Sequence, residues 1–446
     1  MKTFWIYLGC ISILTGCGLQ WRSTQTSYTP ITTPRPLSTV TPTITPYLTT
    51  IPITPMLRQT TTPITSTKNA TSTQYSGFPT PLPNSDVAQR CLMVNDPAIV
   101  NTELNGTLVL GNGLPDVKPY LLDLENNKRI NYPFSIENPK LWLDYAAVSP
   151  DGQWLAYIEW FKESNISRLH LMSADLQEQP YLDLPTDWGR IIYWLDDQRL
   201  LISTSQILPE GASPTGKMMI LYPFLRKWEI LSPDLPIQIN TDPMPWYYWP
   251  DNPIVIYNPS LTRALYLALG GFYLIDSQSL NIINHIRTQN YLSRPRWSPE
   301  GDNLAMVIDP FQLPKDISEI YLFDLDGHSI PITNIADAFG NNNEVIESFN
   351  WSSDGTKIAF TYYVSDFKDE HIAVVDVITG QTVDYCLPSI GLLPPIWSPD
   401  GNKIAFASGS STDQDRTWKT IIVDIVNEYA VQVADTMLPL GWMESP

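Results

Sequence analysis

The hydrophobic and polar positions of the C-terminal three quarters of the chain fall into short apolar runs bounded by tight turns. One ten-residue phrase recurs. Trp297-Ser298-Pro299-Glu300-Gly301-Asp302-Asn303-Leu304-Ala305-Met306 is one copy, and Trp351-Ser352-Ser353-Asp354-Gly355-Thr356-Lys357-Ile358-Ala359-Phe360 is another. Trp397-Ser398-Pro399-Asp400-Gly401-Asn402-Lys403-Ile404-Ala405-Phe406 matches both, and Val148-Ser149-Pro150-Asp151-Gly152-Gln153-Trp154-Leu155-Ala156-Tyr157 keeps all but the leading aromatic. Each copy reads as a strand ending in a large apolar residue, then a β-turn, then a returning apolar strand. Proline sets φ at the second turn position, and glycine suits the fourth.

A second phrase follows the later copies. Ile320-Tyr321-Leu322-Phe323-Asp324-Leu325-Asp326-Gly327 predicts a third strand that runs into a turn. His371 to Gly380 and Thr420 to Asn427 repeat it, and Gln381-Thr382-Val383-Asp384-Tyr385 predicts a fourth strand. Weaker copies of the first phrase begin at Trp194 and Trp249, and an incomplete one ends the chain at Trp442. The seven starts, Val148, Trp194, Trp249, Trp297, Trp351, Trp397 and Trp442, lie 45 to 55 residues apart. Four antiparallel strands per unit at that period predict an all-β propeller of seven four-stranded blades. The two chain ends complement each other. Asn105-Gly106-Thr107-Leu108-Val109-Leu110 looks like a second strand with no first, and Leu438 to Met443 like a first strand with no second. The C-terminal strand is therefore expected to close the ring.

The phrase Trp-Ser-Pro-Asp-Gly-x-x-Ile-Ala-Phe resembles the WD40-like repeat of TolB-type propellers. The resemblance covers residues 105–446 and implies a propeller that serves mainly as a binding platform. This chain departs from the family's six blades, its separate N-terminal α/β domain and its soluble periplasmic form.

The N-terminal region reads differently. Lys2, the apolar run from Phe4 to Leu14, and Leu14-Thr15-Gly16-Cys17 resemble a bacterial lipoprotein signal. The apolar run is too short to span a bilayer. The resemblance implies cleavage after residue 16 and lipidation of Cys17, with firm anchoring through several acyl chains. Residues 17–84 then form a Thr/Pro-rich linker, which cannot bury enough apolar area to fold and is expected to act as a disordered, extended stalk. The domains are thus 1–16 signal peptide, 17–84 lipid-anchored linker and 85–446 propeller. The expected location is the extracytoplasmic side of a cell membrane.

Charge sharpens this picture. All 46 acidic residues and all but five of the 27 basic ones lie at or beyond Asp86, so the propeller carries about −24. Such a surface excludes nucleic acid as a partner. Strand alternation places the longer segments on the face opposite the Ser-Pro-Asp-Gly turns. Loops on a rigid scaffold are where recognition usually resides. Asp309, Asp316, Glu319, Asp337, Glu344, Glu347, Asp366, Asp369, Glu370, Asp413 and Asp415 are therefore expected to make an acidic binding face. A basic or polyhydroxylated partner, an envelope protein or a glycan, would suit it.

Candidate chemistry is sparse. No Gly-x-Ser-x-Gly elbow occurs, and Gly211 to Gly216 around Ser213 has one residue too many. His170, His285, His328 and His371 fall at different places in their units, which argues against a shared metal. Asp413-Gln414-Asp415 and Asp366 to Glu370 read as solvated loop charges more readily than as calcium ligands. Trp246-Tyr247-Tyr248-Trp249 offers either a sugar-stacking surface or ordinary blade packing. Cys91 and Cys386 either form a disulfide tying the stalk's end to the disc or stay unpaired and buried. The expectation is a binding or scaffolding lipoprotein with no metal, no cofactor and no enzymatic activity. The alternative is a polysaccharide- or peptide-acting enzyme, which titratable residues converging in the central funnel would favour.

Overall fold

The computed structural model describes residues 87–95, 104–111, 118–132, 146–161, 166–184, 189–204, 217–231, 255–268, 271–287, 293–308, 318–335, 338, 346–365, 369–391, 393–409 and 418–445. They form seven four-stranded antiparallel sheets, the blades of a propeller. The expected signal segment, Cys17 and residues 18–86 lie outside the described residues. Among the described residues no helix is long and apolar enough to cross a membrane.

Blade 1 joins the two ends of the fold. Its innermost strand is Leu438–Met443, followed by Thr107–Gly111, Tyr120–Asp123 and Lys128–Ile130. Leu108 pairs with Trp442 and Thr107 with Met443. Trp442 is 3% exposed, and its indole N–H donates to the Asn105 carbonyl at 3.1 Å. Blade 2 starts at Ala146–Val148, blade 3 at Gly189–Asp196, blade 5 at Arg296–Trp297, blade 6 at Ile346–Trp351 and blade 7 at Ile396–Trp397. The C-terminal strand thus closes the ring as the chain ends imply.

Blade 4 corrects one boundary. Its first strand is Val255–Tyr257, so the position expected for Trp249 belongs to Tyr257, and Val255 and Ile256 are not the returning strand. Tyr257-Asn258-Pro259-Ser260-Leu261 is the turn phrase in disguise. Asn258, fully buried, replaces serine, and its side-chain oxygen accepts the Thr262 and Arg263 backbone N–H groups at 2.9 Å each. Leu261 takes the glycine's place at φ +59°. With no glycine in the turn, the phrase is not legible as a copy in the sequence. Trp246 to Trp249 lie outside the described residues.

The turns lock neighbouring blades together. In blade 5 the Ser298 hydroxyl accepts the Asn303 N–H at 3.1 Å, while Gly301 N–H closes the turn on the Ser298 carbonyl at 2.8 Å. Gly301 has φ +75°, and a Cβ there would lie 2.6 Å from Pro259 of blade 4's turn. Glycine therefore meets a backbone demand and a packing demand at once. The tryptophans do the same along the inner strands. Trp351 N–H reaches the Arg296 carbonyl and Trp397 N–H the Asn350 carbonyl, each at 3.1 Å and each one blade back.

The core is correspondingly distributed between blade faces. Ala305, Val307 and Ile320 of blade 5 meet Phe349, Phe360 and Tyr362 of blade 6. Phe406, Ile421 and Val423 of blade 7 meet Ile372, Val374 and Tyr385 of blade 6. Leu108, Leu110 and Trp442 of blade 1 meet Ala405, Ile422 and Val431 of blade 7. Both faces of the middle strands are buried, which accounts for their near-continuous apolar runs.

Residues 87–95 run along the rim. Ala88–Gln89 adds a fifth, parallel strand to the outer edge of blade 6, and Val94–Asn95 does so on blade 7. Between them Cys91 is disulfide-bonded to Cys386 of blade 6's outer strand. Arg90 pairs with Glu428 of blade 7.

Candidate functional site

First strands run toward the Ser-Pro-Asp-Gly turns, and second strands run away from them. The links from second to third strands and from blade to blade therefore share the opposite face, the loop face. Of the eleven carboxylates expected there, Asp309, Asp316, Asp337, Glu344, Asp366, Asp413 and Asp415 lie outside the described residues. Asp369 opens the third strand of blade 6, Asp369–Asp376.

The other three are not exposed loop charges. Glu319 opens the third strand of blade 5, Glu319–Phe323, and is 8% exposed. The Thr333 hydroxyl donates to its carboxylate and accepts the Ile320 N–H at 2.8 Å. Glu370 is 6% exposed in the third strand of blade 6, and Glu347 is half-buried in that blade's innermost strand. The second strand of blade 6 ends at Ser365, as expected, but the third already resumes at Asp369, two residues before the expected start at His371. That extension draws Glu370 into the sheet.

Glu347 and Glu370 converge beneath Gly391. A Cβ on that glycine would fall 2.1 Å from Glu347 Oε2 and 2.9 Å from Glu370 Oε1, so the two oxygens lie within about 5 Å of each other. Only a residue without a side chain leaves room for both. The Ser389 hydroxyl donates to Glu370 Oε1 at 3.3 Å, and Ser389 N–H donates to the Glu370 carbonyl at 2.7 Å. Burial, and then the negative charge of Glu347, push the Glu370 carboxyl up to about 8. Burial also raises Glu347, partly offset by a hydrogen bond from the Tyr363 hydroxyl. Tyr363 is raised in turn by burial and by Glu347. Two carboxyls this close resist ionising together. Near neutral pH Glu370 therefore holds its proton, beside the Glu347 carboxyl.

Neighbouring blades fix this place. Ser293 Oγ, ahead of blade 5, donates to the Glu347 carbonyl at 2.6 Å, and Ser318 Oγ accepts the Ile346 N–H at 2.7 Å. Ile390 N–H reaches the Ala407 carbonyl of blade 7 at 3.0 Å. The sequence named both glutamates but offered no sign that they meet. Glu347 lies in the inner strand of blade 6 and Gly391 in the link before the inner strand of blade 7, and only the ring brings them together.

The histidines sit in four separate blades. His170 lies between Glu178 at 3.1 Å and Glu159 at 3.2 Å in blade 2, and His285 stacks on Tyr273 at 4.2 Å in blade 4. His371 contacts Asp384 at 3.3 Å in blade 6. His328 shares a turn of blade 5 with Asp324 and Asp326, three groups whose ligand atoms lie within 4.8 Å. Asp324 there caps the N–H groups of Asp326 and His328, as Asp376 and Asp424 cap the same turn in later blades. That aspartate is a repeat feature of the fold. The segment around Ser213 lies outside the described residues.

No protein-family model and no curated protein matches this chain. Solved structures do. TolB from Acinetobacter baumannii is 12% identical, over 80% of this chain and 95% of its own, at TM-score 0.40. Periplasmic gluconolactonase of Pseudomonas aeruginosa is 13% identical, over 77% and 100%, at 0.45. Oligogalacturonate lyase from Vibrio parahaemolyticus is 11% identical, over 74% and 86%, at 0.45. At these identities the likeness concerns the fold alone, and a fold does not fix function. Two of these propellers are named as enzymes, so the fold gives no ground for the expectation that the chain is not an enzyme.

Proposed function

We infer that this chain is a lipid-anchored extracytoplasmic binding protein. It holds a rigid seven-bladed platform away from the membrane, and its loop face takes up a polyhydroxylated or protein ligand of the cell envelope. The observation that carries this reading is how the N-terminal segment joins the ring. Residues 87–95 are paired along two blades and covalently fastened by Cys91–Cys386. A structural disulfide suits an oxidising compartment outside the cytoplasm. Tension arriving from the N-terminal side would pass into blade 6 through that bond and spare the noncovalent closure of blade 1. The Leu14-Thr15-Gly16-Cys17 pattern supplies the anchor. Mass spectrometry of the mature N-terminal peptide is expected to find acyl chains on Cys17, and Cys17→Ser to move the chain from the membrane to the soluble fraction. An unacylated N-terminus elsewhere would refute the anchor.

A second reading rests on Glu347 and Glu370. Two carboxyls held together, Glu370 raised to about 8, with a tyrosine hydroxyl beside them, are the equipment of general acid–base chemistry. It would serve a hydrolase or lyase acting on envelope polysaccharide. Release of reducing ends from such polysaccharide, lost in Glu370→Gln with the fold intact, supports this reading. Ligand retention by the same variant without any turnover in the parent supports binding.

A further inference from the structure

The outer strands of blades 6 and 7 are each covered by an added strand. Blade 3 presents the opposite case. Its outer strand, Lys227–Leu231, is exposed along almost its whole length, and no further strand pairs with it among the described residues. Trp228 is 41% and Ile230 48% exposed, and Leu225 in the turn before them is 65% exposed. Phe224 and Tyr181 continue the apolar surface onto the rim of blade 2.

This patch is held in place. The rings of Phe224 and Trp154 meet edge to face at 4.8 Å. Arg226 donates to the Tyr181 carbonyl at 3.0 Å, linking the two rims. Arg168 lies over the Tyr181 ring at 3.7 Å. An uncovered edge strand invites another strand unless something blunts it, and here Phe224 and Tyr181 at its margin are held in place.

We propose that two copies of this chain pair edge to edge through Lys227–Leu231, antiparallel and with Trp228 on the two-fold axis. The charges of the strand select this occupant. Lys227 and Glu229 share one face of the strand, and Trp228 and Ile230 share the other, because successive side chains alternate. Centring the pair on Trp228 sets Lys227 of each copy opposite Glu229 of the other and brings the two indoles together. Opposite charges and aromatic pairs directly across strands are stabilising, and like charges there are destabilising. Centring on Glu229 would instead oppose the two glutamates, so one register is favoured. The self-complementary patch is what an isologous dimer requires. A few half-exposed side chains supply less than the roughly 800 Å² per partner of a standard interface, so the dimer is weak in solution. Confinement on one membrane, on the anchored reading above, would raise its occupancy.

The test is sedimentation of the full chain in density-matched detergent across a concentration series. The parent is expected to show a reversible monomer–dimer equilibrium. Lys227→Glu and Glu229→Lys are each expected to raise the dissociation constant about tenfold or more, and the double exchange K227E/E229K to return it to within about threefold of the parent. Trp228→Cys is expected to cross-link into a covalent dimer on mild oxidation, because opposed Cα atoms of a hydrogen-bonded antiparallel pair lie about 5.5 Å apart. Unchanged melting temperatures confirm that these exposed substitutions leave the fold intact, and the cross-link stands as an independent readout if one charge variant fails to fold. A parent that stays monomeric to about 100 µM, the range of weak encounters, overturns the proposal, as it would if the patch served a different protein. A dimer indifferent to both charge reversals, or a double exchange as weak as the single ones, also overturns it.

Discussion

Trp442→Ala measures how much the ring depends on its closure. The indole is almost wholly buried among Leu108, Leu110 and Leu122 of blade 1 and Ala405 and Ile422 of blade 7, and its N–H satisfies the Asn105 carbonyl. Replacing a buried tryptophan by alanine costs about 3–5 kcal/mol in cavity and transfer terms. Orphaning a part-buried carbonyl adds about 1 kcal/mol. Over the roughly 360 residues from position 87 onward, a melting entropy of about 2.1 cal/mol/K per residue amounts to on the order of 0.75 kcal/mol/K. A loss of about 4–6 kcal/mol then lowers Tm by about 5–8 °C. Differential scanning calorimetry reads this directly. Deleting residues 438–446 removes the entire inner strand of blade 1 and exposes the edge of Thr107–Gly111, so that variant is expected not to fold. Deleting residues 18–80, none of which is among the described residues of the ring, is expected to leave Tm unchanged. A Trp442→Ala variant that melts with the parent, or a C-terminal deletion that folds normally, would refute this account of closure.

Three further outcomes follow from the same structure. Gly106 sits at φ +88°, and a Cβ there would lie 2.4 Å from the Met443 carbonyl oxygen; Gly106→Ala is expected to lower Tm by several degrees through the same seam, and an unchanged Tm would contradict it. Cys91→Ser removes a cross-link spanning 295 positions, a loss of about 2–5 kcal/mol; limited proteolysis should then cut within 87–95 while the blades resist, and equal protection with and without the bond would count against the strap. Between pH 4.5 and about 8 the folded chain holds a proton on Glu370 that the unfolded chain releases, so this group lowers stability as pH rises through that window. Glu370→Gln is expected to flatten the slope and raise Tm at pH 8, and parallel pH profiles for parent and variant would refute the coupling.

Much of the architecture was legible along the chain because its causes are local. The Ser-Pro-Asp-Gly turn needs a proline, a capping hydroxyl and a glycine within five residues. Those demands recur wherever blades repeat, so four copies sufficed to predict the propeller. The unmatched strands at Asn105–Leu110 and Leu438–Met443 announced closure, because an unpaired sheet edge is costly. Where a turn met the same geometry with other residues, as Asn258 and Leu261 do in blade 4, local reading put the blade boundary at Trp249, eight residues before Tyr257. The candidate site was not legible, because it is made between repeats. Glu347 and Glu370 belong to different strands and Gly391 to the link between blades 6 and 7, and the proton held on Glu370 depends on burial and on a distance that only the packed ring sets. Strand alternation places an acidic loop face opposite the turns, yet Glu319 and Glu370 are buried because the third strands already begin at Glu319 and Asp369. The pairing of residues 87–95 with blades 6 and 7 likewise joins segments 295 or more positions apart. Patterns with a period of a few residues are written into the chain one turn at a time; contacts between distant repeats exist only once the ring has closed.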